Sequence, residues 1–131
     1  MMHPLKIINK FFLILTCFAF LSANTEQEKE IALHHFMQGE FLMNQGNYAL
    51  AVLEFQDAID LDPNAATIHI SIADAYRRLG KGKRAEDHLM IALDLDPKDL
   101  EAREMLGQLY LAQNKFIDAE LVFKELKILD P

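Results

Sequence analysis

Four histidines outside the first 23 residues could bind a metal ion, because neutral imidazole nitrogens coordinate zinc where several of them converge. They are His34, His35, His69 and His88, and no two of them are spaced i, i+4 as two ligands on one helix face would be. No cysteine lies near them in the sequence. We therefore interpret them as partly buried packing residues and predict neither a metal site nor a cofactor.

Residues that could act as a nucleophile or hold a phosphate are equally scarce. Ser71 is the only serine after residue 23, and no pattern marks it as paired with a base and an orienting group. The stretch from Gly80 to Lys83 is too short for a phosphate-binding P-loop. With Arg77, Arg78 and Arg84 it forms a basic cluster, which we interpret as a solvated turn rather than an anion site. We predict that the chain is not an enzyme.

The composition excludes several other classes of protein. The chain has 131 residues, of which 51% are apolar and 25% charged, and 13 basic residues face 20 acidic ones for a net charge of −7. An apolar half is too much for a disordered chain, and the acidity argues against a nucleic-acid binder. A single cysteine cannot form an intramolecular disulfide framework.

Residues 1–23 have the pattern of a secretory signal peptide. Lys6 and Lys10 precede an uncharged apolar run over residues 11–21, and small residues follow it. The run is shorter than the roughly 20 residues that span a bilayer as a helix. We predict cleavage after Ala23, or after Thr25, and therefore a periplasmic or secreted protein. The alternative is a retained leader that anchors the protein to the membrane by its N-terminus.

Cys17 raises the question of a lipid anchor. A bacterial lipoprotein signal places its cysteine after a small residue at the end of the apolar run. Here Thr16 precedes the cysteine, and four more residues continue the run beyond it. We therefore interpret Cys17 as an apolar residue of the signal rather than as a lipidation site.

Three Asp-Pro pairs divide the rest of the chain into equal parts. The prolines Pro63, Pro97 and Pro131 are each spaced by 34 residues. Other positions repeat with the same spacing: Gly39, Ala73 and Gly107; Ala51, Ala85 and Ala119; Phe55, Leu89 and Phe123. A constant period of this length is typical of a repeat array.

Each unit reads as a helical hairpin. In the second unit, apolar residues spaced by three or four form one stripe, Gly80 interrupts it, and a second stripe follows: Ile68, Ile72, Ala75, Tyr76 and Leu79, then Ala85, Leu89, Ala92, Leu93 and Leu95. One hairpin cannot cover its own apolar face, so the units must stack.

Two kinds of break separate the helices. One follows the first helix of each unit, at Gly46, Gly80 and Asn114. Because glycine and asparagine tolerate the left-handed conformation, we predict a helix C-cap with positive φ at each. At the other break we predict that Asp62 and Asp96 cap the start of the next helix, with Pro63 and Pro97 at its first position.

These residues resemble the tetratricopeptide repeat family, whose unit is a 34-residue helix–turn–helix. The resemblance covers residues 32–131 and implies an all-α, right-handed α-solenoid of three repeats. The boundaries are a lead-in at 24–31, repeat 1 at 32–65, repeat 2 at 66–99 and repeat 3 at 100–131. The eleventh position, often aromatic, is Leu42, Tyr76 and Tyr110. The fourth, often tryptophan, departs from the pattern as His35, His69 and Arg103.

The resemblance also implies a concave groove, lined by the first helix of each repeat, that binds a protein or peptide partner. Its candidate residues are Leu33, Phe36, Glu40, Met43, Thr67, Ile70, Asp74, Arg77, Glu101, Glu104, Gln108 and Leu111. Glu40 and Asp74 stand where one subset of the family clamps a C-terminal carboxylate. Acids there would repel a carboxylate, so we predict that this chain is not such a clamp.

Phe36, Met37 and Met43 are more apolar than a solvated groove requires. One interpretation is a pocket for an apolar side chain of a peptide or partner helix, since methionine surfaces adapt to their ligands. The other is that these residues pack under residues 24–31.

The pattern as a whole indicates an exported, non-catalytic scaffold that binds other proteins. Two alternatives remain: an envelope-assembly factor similar to the lipoproteins that build pili and secretion pores, or the N-terminal repeat region of a longer enzyme. We predict no nucleic-acid partner, and membrane contact only through an uncleaved or lipidated leader.

The last predicted helix carries more apolar side chains than one hairpin can cover. They are Phe116, Ala119, Leu121, Val122, Phe123, Leu126, Ile128 and Leu129. We expect part of this surface to meet a fourth unit, because the chain stops on the last consensus residue of a repeat. Without that unit, we expect that the chain either self-associates through this helix or frays there.

Overall fold

The computed structural model describes the backbone of residues 4–131 and the side chains of residue 14 and residues 25–131. Within this part of the chain the backbone forms helices and turns and no strand. The helices are α1 (Pro4–Asn44), α2 (Tyr48–Leu61), α3 (Ala66–Arg78), α4 (Gly82–Leu95), α5 (Leu100–Ala112) and α6 (Phe116–Leu129). They pair as hairpins α1–α2, α3–α4 and α5–α6, and α2 packs on α3 as α4 packs on α5. The predicted all-α stack of three helical hairpins is confirmed.

The helices of each hairpin meet at two small positions. Ala51, Ala85 and Ala119 are almost fully buried on the second helix of each repeat. A small residue on the first helix also recurs with a large one on the second: Gly39 with Phe55, Ala73 with Leu89, and Gly107 with Phe123. A Cβ atom added to Gly39 would lie 2.6 Å from Cδ1 of Phe55, and one added to Gly107 would lie 2.7 Å from Cζ of Phe123. Glycine thus accompanies phenylalanine, and alanine accompanies the smaller leucine.

Helix α1 is much longer than the first helix of a repeat. It continues without interruption from Pro4 through the predicted lead-in to Asn44. Residues 1–3 of the predicted leader, and its side chains except that of Ile14, lie outside the described residues, and so does the Cys17 side chain. Among the described residues, no helix is long and apolar enough to cross a membrane. The leader boundary and its cleavage stay predictions.

The turns inside the three hairpins are built alike. Gly46, Gly80 and Asn114 have φ of +75°, +70° and +59°, as predicted. At the second turn, the Lys81 amide donates to the Tyr76 carbonyl at 2.8 Å, and the Gly80 amide donates to the Arg77 carbonyl at 3.0 Å. These two bonds define a Schellman motif, which satisfies carbonyls at the end of the helix.

The prediction for the other break is wrong. Asp62 and Asp96 are C-caps of α2 and α4, and α3 and α5 begin only at Ala66 and Leu100. The N-cap of α5 is Asp99, whose carboxylate accepts from the Ala102 amide at 2.7 Å. An Asp-Pro pair fits either end of a helix, because proline is tolerated at a first helical position and is also common just after a C-cap.

At the fourth repeat position, two of the three polar residues, His69 and Arg103, bind the turn before their own repeat. His69 Nε2 donates to the Pro63 carbonyl at 3.0 Å, and Arg103 Nη1 donates to the Pro97 carbonyl at 2.9 Å. Both carbonyls belong to the turn that leads out of the preceding repeat. Each side chain therefore fixes the turn through which one repeat follows another.

The buried His69 also pairs with the half-buried His88. Only 4% of His69 is exposed, and its Nδ1 lies 3.1 Å from Nδ1 of His88. Because Nε2 of His69 donates to a carbonyl, a neutral His69 must accept at Nδ1, so His88 donates from its Nδ1. Burial, followed by the nearby His69, holds the pKa of His88 below its usual value.

Helix α6 exposes an apolar strip, Ile117, Leu121 and Ile128, with exposed fractions of 78%, 55% and 78%. The equivalent positions of repeats 1 and 2 are also exposed, although another repeat follows each: Ala49, Leu53, Asp60, Lys83, Asp87 and Asp94. A further repeat stacked in the same way would leave these three side chains exposed. The expectation that a fourth unit covers other apolar side chains of α6 stays a prediction. Self-association through α6 stays a prediction.

We predict that Gly39→Ala destabilises the fold by about 1–3 kcal/mol, because the new methyl group overpacks against the Phe55 ring. Adding Phe55→Leu should recover stability, since repeat 2 has this alanine–leucine pair. In the parent, Phe55→Leu alone should destabilise. Urea unfolding of the four proteins measures the coupling. Additive effects of the two changes would contradict the proposed contact.

We also predict that stability falls as the pH decreases from 7.5 to 5.5. A pKa of His88 below its unfolded value of 6.5 means that the folded state binds fewer protons, so the stabilisation is complete above pH 6.5 and is lost below it. In His88→Asn, an amide can still donate to His69, and the fall over this range should be smaller. His34→Asn, at an exposed histidine, should behave like the parent. Equal pH profiles for all three proteins would refute the assignment.

Candidate peptide-binding groove

The first helices of the repeats lie side by side, with α1 against α3 and α3 against α5. Seven of the predicted groove residues are exposed: Leu33, Thr67, Arg77, Glu101, Glu104, Gln108 and Leu111. Four are half-buried: Phe36, Glu40, Met43 and Asp74. The remaining one, Ile70, is only 5% exposed. Its inclusion in the groove is wrong, because its side chain belongs to the core.

The apolar groove residues of repeat 1 are partly engaged in the core. The ring centroids of Phe36 and Phe55 lie 5.9 Å apart, and Met43 packs against the same core. Met37, by contrast, is 62% exposed. Phe36 and Met43 therefore offer a groove only their outer edges, supported from below by α2.

The central acid of the groove is neutralised within its own helix. Arg77 Nε donates to Asp74 Oδ1 at 3.0 Å, and Arg78 Nε lies 3.5 Å from Asp74 Oδ2. The Arg78 guanidinium also lies 5.7 Å from the centre of the Tyr48 ring. Both arginines thus bind the one carboxylate of Asp74, and the three side chains together carry a net positive charge.

A cavity of about 510 Å³ opens between repeats 1 and 2 beside this ion pair. Glu40, Met43, Tyr48, Asp74 and Arg78 contribute to its lining. Glu40 has no hydrogen bond or ion pair with any described residue. Among its lining residues two carboxylates, Glu40 and Asp74, face one arginine, Arg78, and Arg77 also binds Asp74 from outside the lining.

Repeat 3 extends the negative character along the groove. Glu101 and Glu104 are both exposed, and the only bond of Glu104 within the described residues is from Gln108 Nε2 at 3.1 Å. No arginine or lysine pairs with either acid in the part of the chain that the structure describes. Together with Glu40, these acids favour a ligand that carries positive charge.

His35 and His69 occupy equivalent positions in neighbouring repeats, but they do not pair with each other. His35 Nδ1 lies 2.8 Å from Glu54 Oε2, whereas His69 pairs with His88. Among the described residues, His35, Glu54 and Asp57 are the one group that places three metal-ligating atoms within 4.8 Å of one another. The His35–Glu54 hydrogen bond accounts for that arrangement without a metal ion.

Sequence reasoning missed a polar cluster at the junction of repeats 2 and 3. The hydroxyl of Tyr110 donates to Glu86 Oε1 at 3.2 Å, and Lys115 Nζ donates to Glu86 Oε2 at 3.3 Å. Burial and the Glu86 carboxylate raise the pKa of Tyr110. Tyr110 and Lys115 follow Glu86 by 24 and 29 positions in the sequence. Only a comparison of the second helix of one repeat with the first helix of the next could have indicated these contacts.

The stacked hairpins and their side-by-side first helices define a helical-repeat protein with an open groove. A family model described as "TPR repeat" matches residues 39–80, and one described as "Tetratricopeptide repeat" matches residues 70–131. The chain belongs to the tetratricopeptide repeat family.

Two relatives match a part of this chain. The chain is 31% identical over 103 residues to DnaJ homolog subfamily C member 3 of Bos taurus, covering 79% of this chain and 19% of the relative. It is 31% identical over 75 residues to a protein O-mannosyl-transferase of Caenorhabditis elegans, covering 57% of this chain and 11% of the relative. The chain therefore spans less than a fifth of the length of either relative.

Solved structures include repeat domains with bound peptides. The first repeat domain of Spaghetti (RPAP3), bound to the HSP90 peptide SRMEEVD, is 26% identical with a TM-score of 0.75, covering 79% of this chain and 82% of that one. The TPR2B domain of yeast Sti1, in a complex with pHsp70, is 18% identical with a TM-score of 0.75, covering 77% and 81%. At that lower identity the likeness concerns the fold.

Proposed function

We propose that this protein is a non-catalytic scaffold that binds a peptide or a partner helix in the groove formed by α1, α3 and α5. The observation that carries the proposal is the row of exposed or half-buried side chains along these helices, with Glu40, Glu101 and Glu104 free of basic partners. Helix-in-groove and extended-peptide recognition both use surfaces of this kind. Repeat domains of similar fold have been solved with bound peptides, which supports the proposal.

The groove selects a ligand of a different charge from SRMEEVD, the acidic peptide bound by RPAP3. Glu40 and Asp74 stand where a carboxylate clamp needs neutral or basic groups. A C-terminal carboxylate at this point would face Glu40 and Asp74, and the two arginines near it already bind Asp74. The preferred ligand is a segment with lysine or arginine opposite Glu40 and Glu104, and apolar residues opposite Leu33 and Leu111.

The scaffold acts outside the cytoplasm in this proposal, because residues 1–23 have the charge and apolar pattern of a signal peptide. The compartment is the periplasm or the medium if the leader is removed. If it is retained, the repeats are anchored at the membrane by the N-terminus. An envelope-assembly role similar to that of pilus and secretion-pore lipoproteins would require lipid at Cys17.

One observation favours a second candidate, the repeat region of a longer enzyme. The match to a protein O-mannosyl-transferase covers only 11% of that relative, so the matched segment is a small part of a longer chain. In that case the groove would serve partner or substrate binding, and catalysis would lie elsewhere.

We predict that peptides selected on this protein from a displayed random library are enriched in basic and apolar residues, and that SRMEEVD does not bind. Glu40→Lys with Glu104→Lys should weaken binding of a selected peptide by at least about tenfold, or ~1.4 kcal/mol. The reason is that the changes replace two attractive charges with repulsive ones. Fluorescence anisotropy measures the affinity.

The matched control is Asp60→Lys with Asp94→Lys, which makes the same change in net charge at exposed positions of α2 and α4. This variant should bind the selected peptide like the parent. Equal weakening by both pairs would place binding outside the groove, and tight binding of SRMEEVD would refute the charge preference.

We predict that the exported protein begins at Asn24, or at Glu26 if the second cleavage point is used. Ala23 directly precedes the first point, although the bulky Leu21 lies two places before it, and the second point has Ala23 in that place instead. N-terminal sequencing and the intact mass of the secreted or periplasmic product give the result. Retention of Met1 would mean an anchor, and a lipid mass on Cys17 would favour the envelope-assembly alternative.

A further inference from the structure

The two junctions between repeats have the same architecture but a different central residue. At the junction of repeats 2 and 3, the Glu86 carboxylate accepts from Tyr110 and from Lys115. The side chain of Glu86 is only 16% exposed, and the Lys115 ammonium also lies 5.2 Å from the centre of the Tyr110 ring. A carboxylate thus occupies a partly buried site that a tyrosine hydroxyl and a lysine create.

The junction of repeats 1 and 2 has the tyrosine and the lysine but no carboxylate. Tyr76 and Lys81 are equivalent to Tyr110 and Lys115, and Val52 stands at the position of Glu86. Arg84 Nη1 donates to the Tyr76 hydroxyl oxygen at 3.4 Å. Within the described residues, the Tyr76 hydroxyl hydrogen therefore has no acceptor, and the Lys81 ammonium has no carboxylate partner.

A cavity of about 310 Å³ lies at this point. Its apolar wall includes Val52, Leu53 and Leu79, and Tyr76, Lys81 and Arg84 form its polar side. Leu53 is 62% exposed, so apolar surface continues from the cavity to solvent. The cavity shares no residue with the groove and lies between α2 and the turn that joins α3 to α4.

We propose that this cavity is a second binding site, which takes the aspartate or glutamate side chain of a partner polypeptide together with a neighbouring apolar residue. The carboxylate occupies the place that Glu86 fills at the other junction, and accepts from Tyr76, Lys81 and Arg84. The apolar neighbour covers Val52 and Leu53.

Charge supports this choice of occupant. The chain carries a net charge of −7, and yet two cations at this cavity, Lys81 and Arg84, have no carboxylate partner. At the other junction Asp118 replaces Arg84, and Lys83 pairs with Asp87 at 2.8 Å, so no cation is left over there. Charge-assisted hydrogen bonds to a partly buried carboxylate are stronger than neutral ones.

The test uses two blocked peptides, acetyl-Leu-Glu-Leu-amide and acetyl-Leu-Gln-Leu-amide, titrated into the ¹⁵N-labelled full chain. The glutamate peptide should cause saturable shifts of amides in residues 49–56 and 76–84, with an affinity at least about tenfold above that of the glutamine peptide. Lys81→Gln with Arg84→Gln should remove this preference. Lys98→Gln, at an exposed lysine without an ion pair, should keep it.

Val52→Glu supplies the missing carboxylate from within the chain. This variant should no longer bind the glutamate peptide, and it should melt at a higher temperature than Val52→Gln, which offers a neutral side chain of the same size. Equal affinity for the two peptides, or undiminished binding by the lysine–arginine double variant, would overturn the proposal. A folded Val52→Glu protein that still binds the glutamate peptide would overturn it as well.

Discussion

The close approach of the two helices in each repeat is the contact on which the rest of the structure depends. A glycine or alanine on the first helix lets the ring or branched side chain of the second lie against the backbone, as Gly39 does for Phe55. If the helices were held farther apart, α2 would meet α3 at a different angle, and the first helices would no longer lie side by side. The groove is therefore a consequence of a small residue at one position in every repeat.

A second constraint acts between repeats, and it relies on polar groups. His69 and Arg103 both bind the carbonyl of the proline turn before them, although an imidazole and a guanidinium have little else in common. What the two side chains share is an N–H donor within hydrogen-bonding distance of the proline carbonyl. The family pattern of tryptophan at this position is compatible with the same geometry, because an indole also carries one N–H donor.

Much of the fold could be predicted from sequence because its signals are local. The 34-residue period, the positive φ at Gly46, Gly80 and Asn114, and the buried alanines all follow from residue types at fixed spacing. The predicted N-cap role of Asp62 and Asp96 is wrong because an Asp-Pro pair is compatible with both ends of a helix. Only the backbone conformation decides between the two. The burial of Ile70 and the bonds of Glu86 depend on the rotation of helices from different repeats, which no single stripe of residues encodes.

The same scaffold positions carry different charges in successive repeats, and the two ligands that we propose, a cationic segment and a carboxylate, differ for this reason. The first helices present Glu40, Glu101 and Glu104 without basic partners among the described residues. Between α2 and the α3–α4 turn, valine replaces glutamate at position 52, and two cations stay uncompensated. A uniform repeat would have closed both junctions with an internal ion pair, as Glu86 closes one. Because Val52 stands at the position of Glu86, the junction of repeats 1 and 2 lacks the carboxylate. It therefore also lacks the internal ion pair that would have filled the cavity.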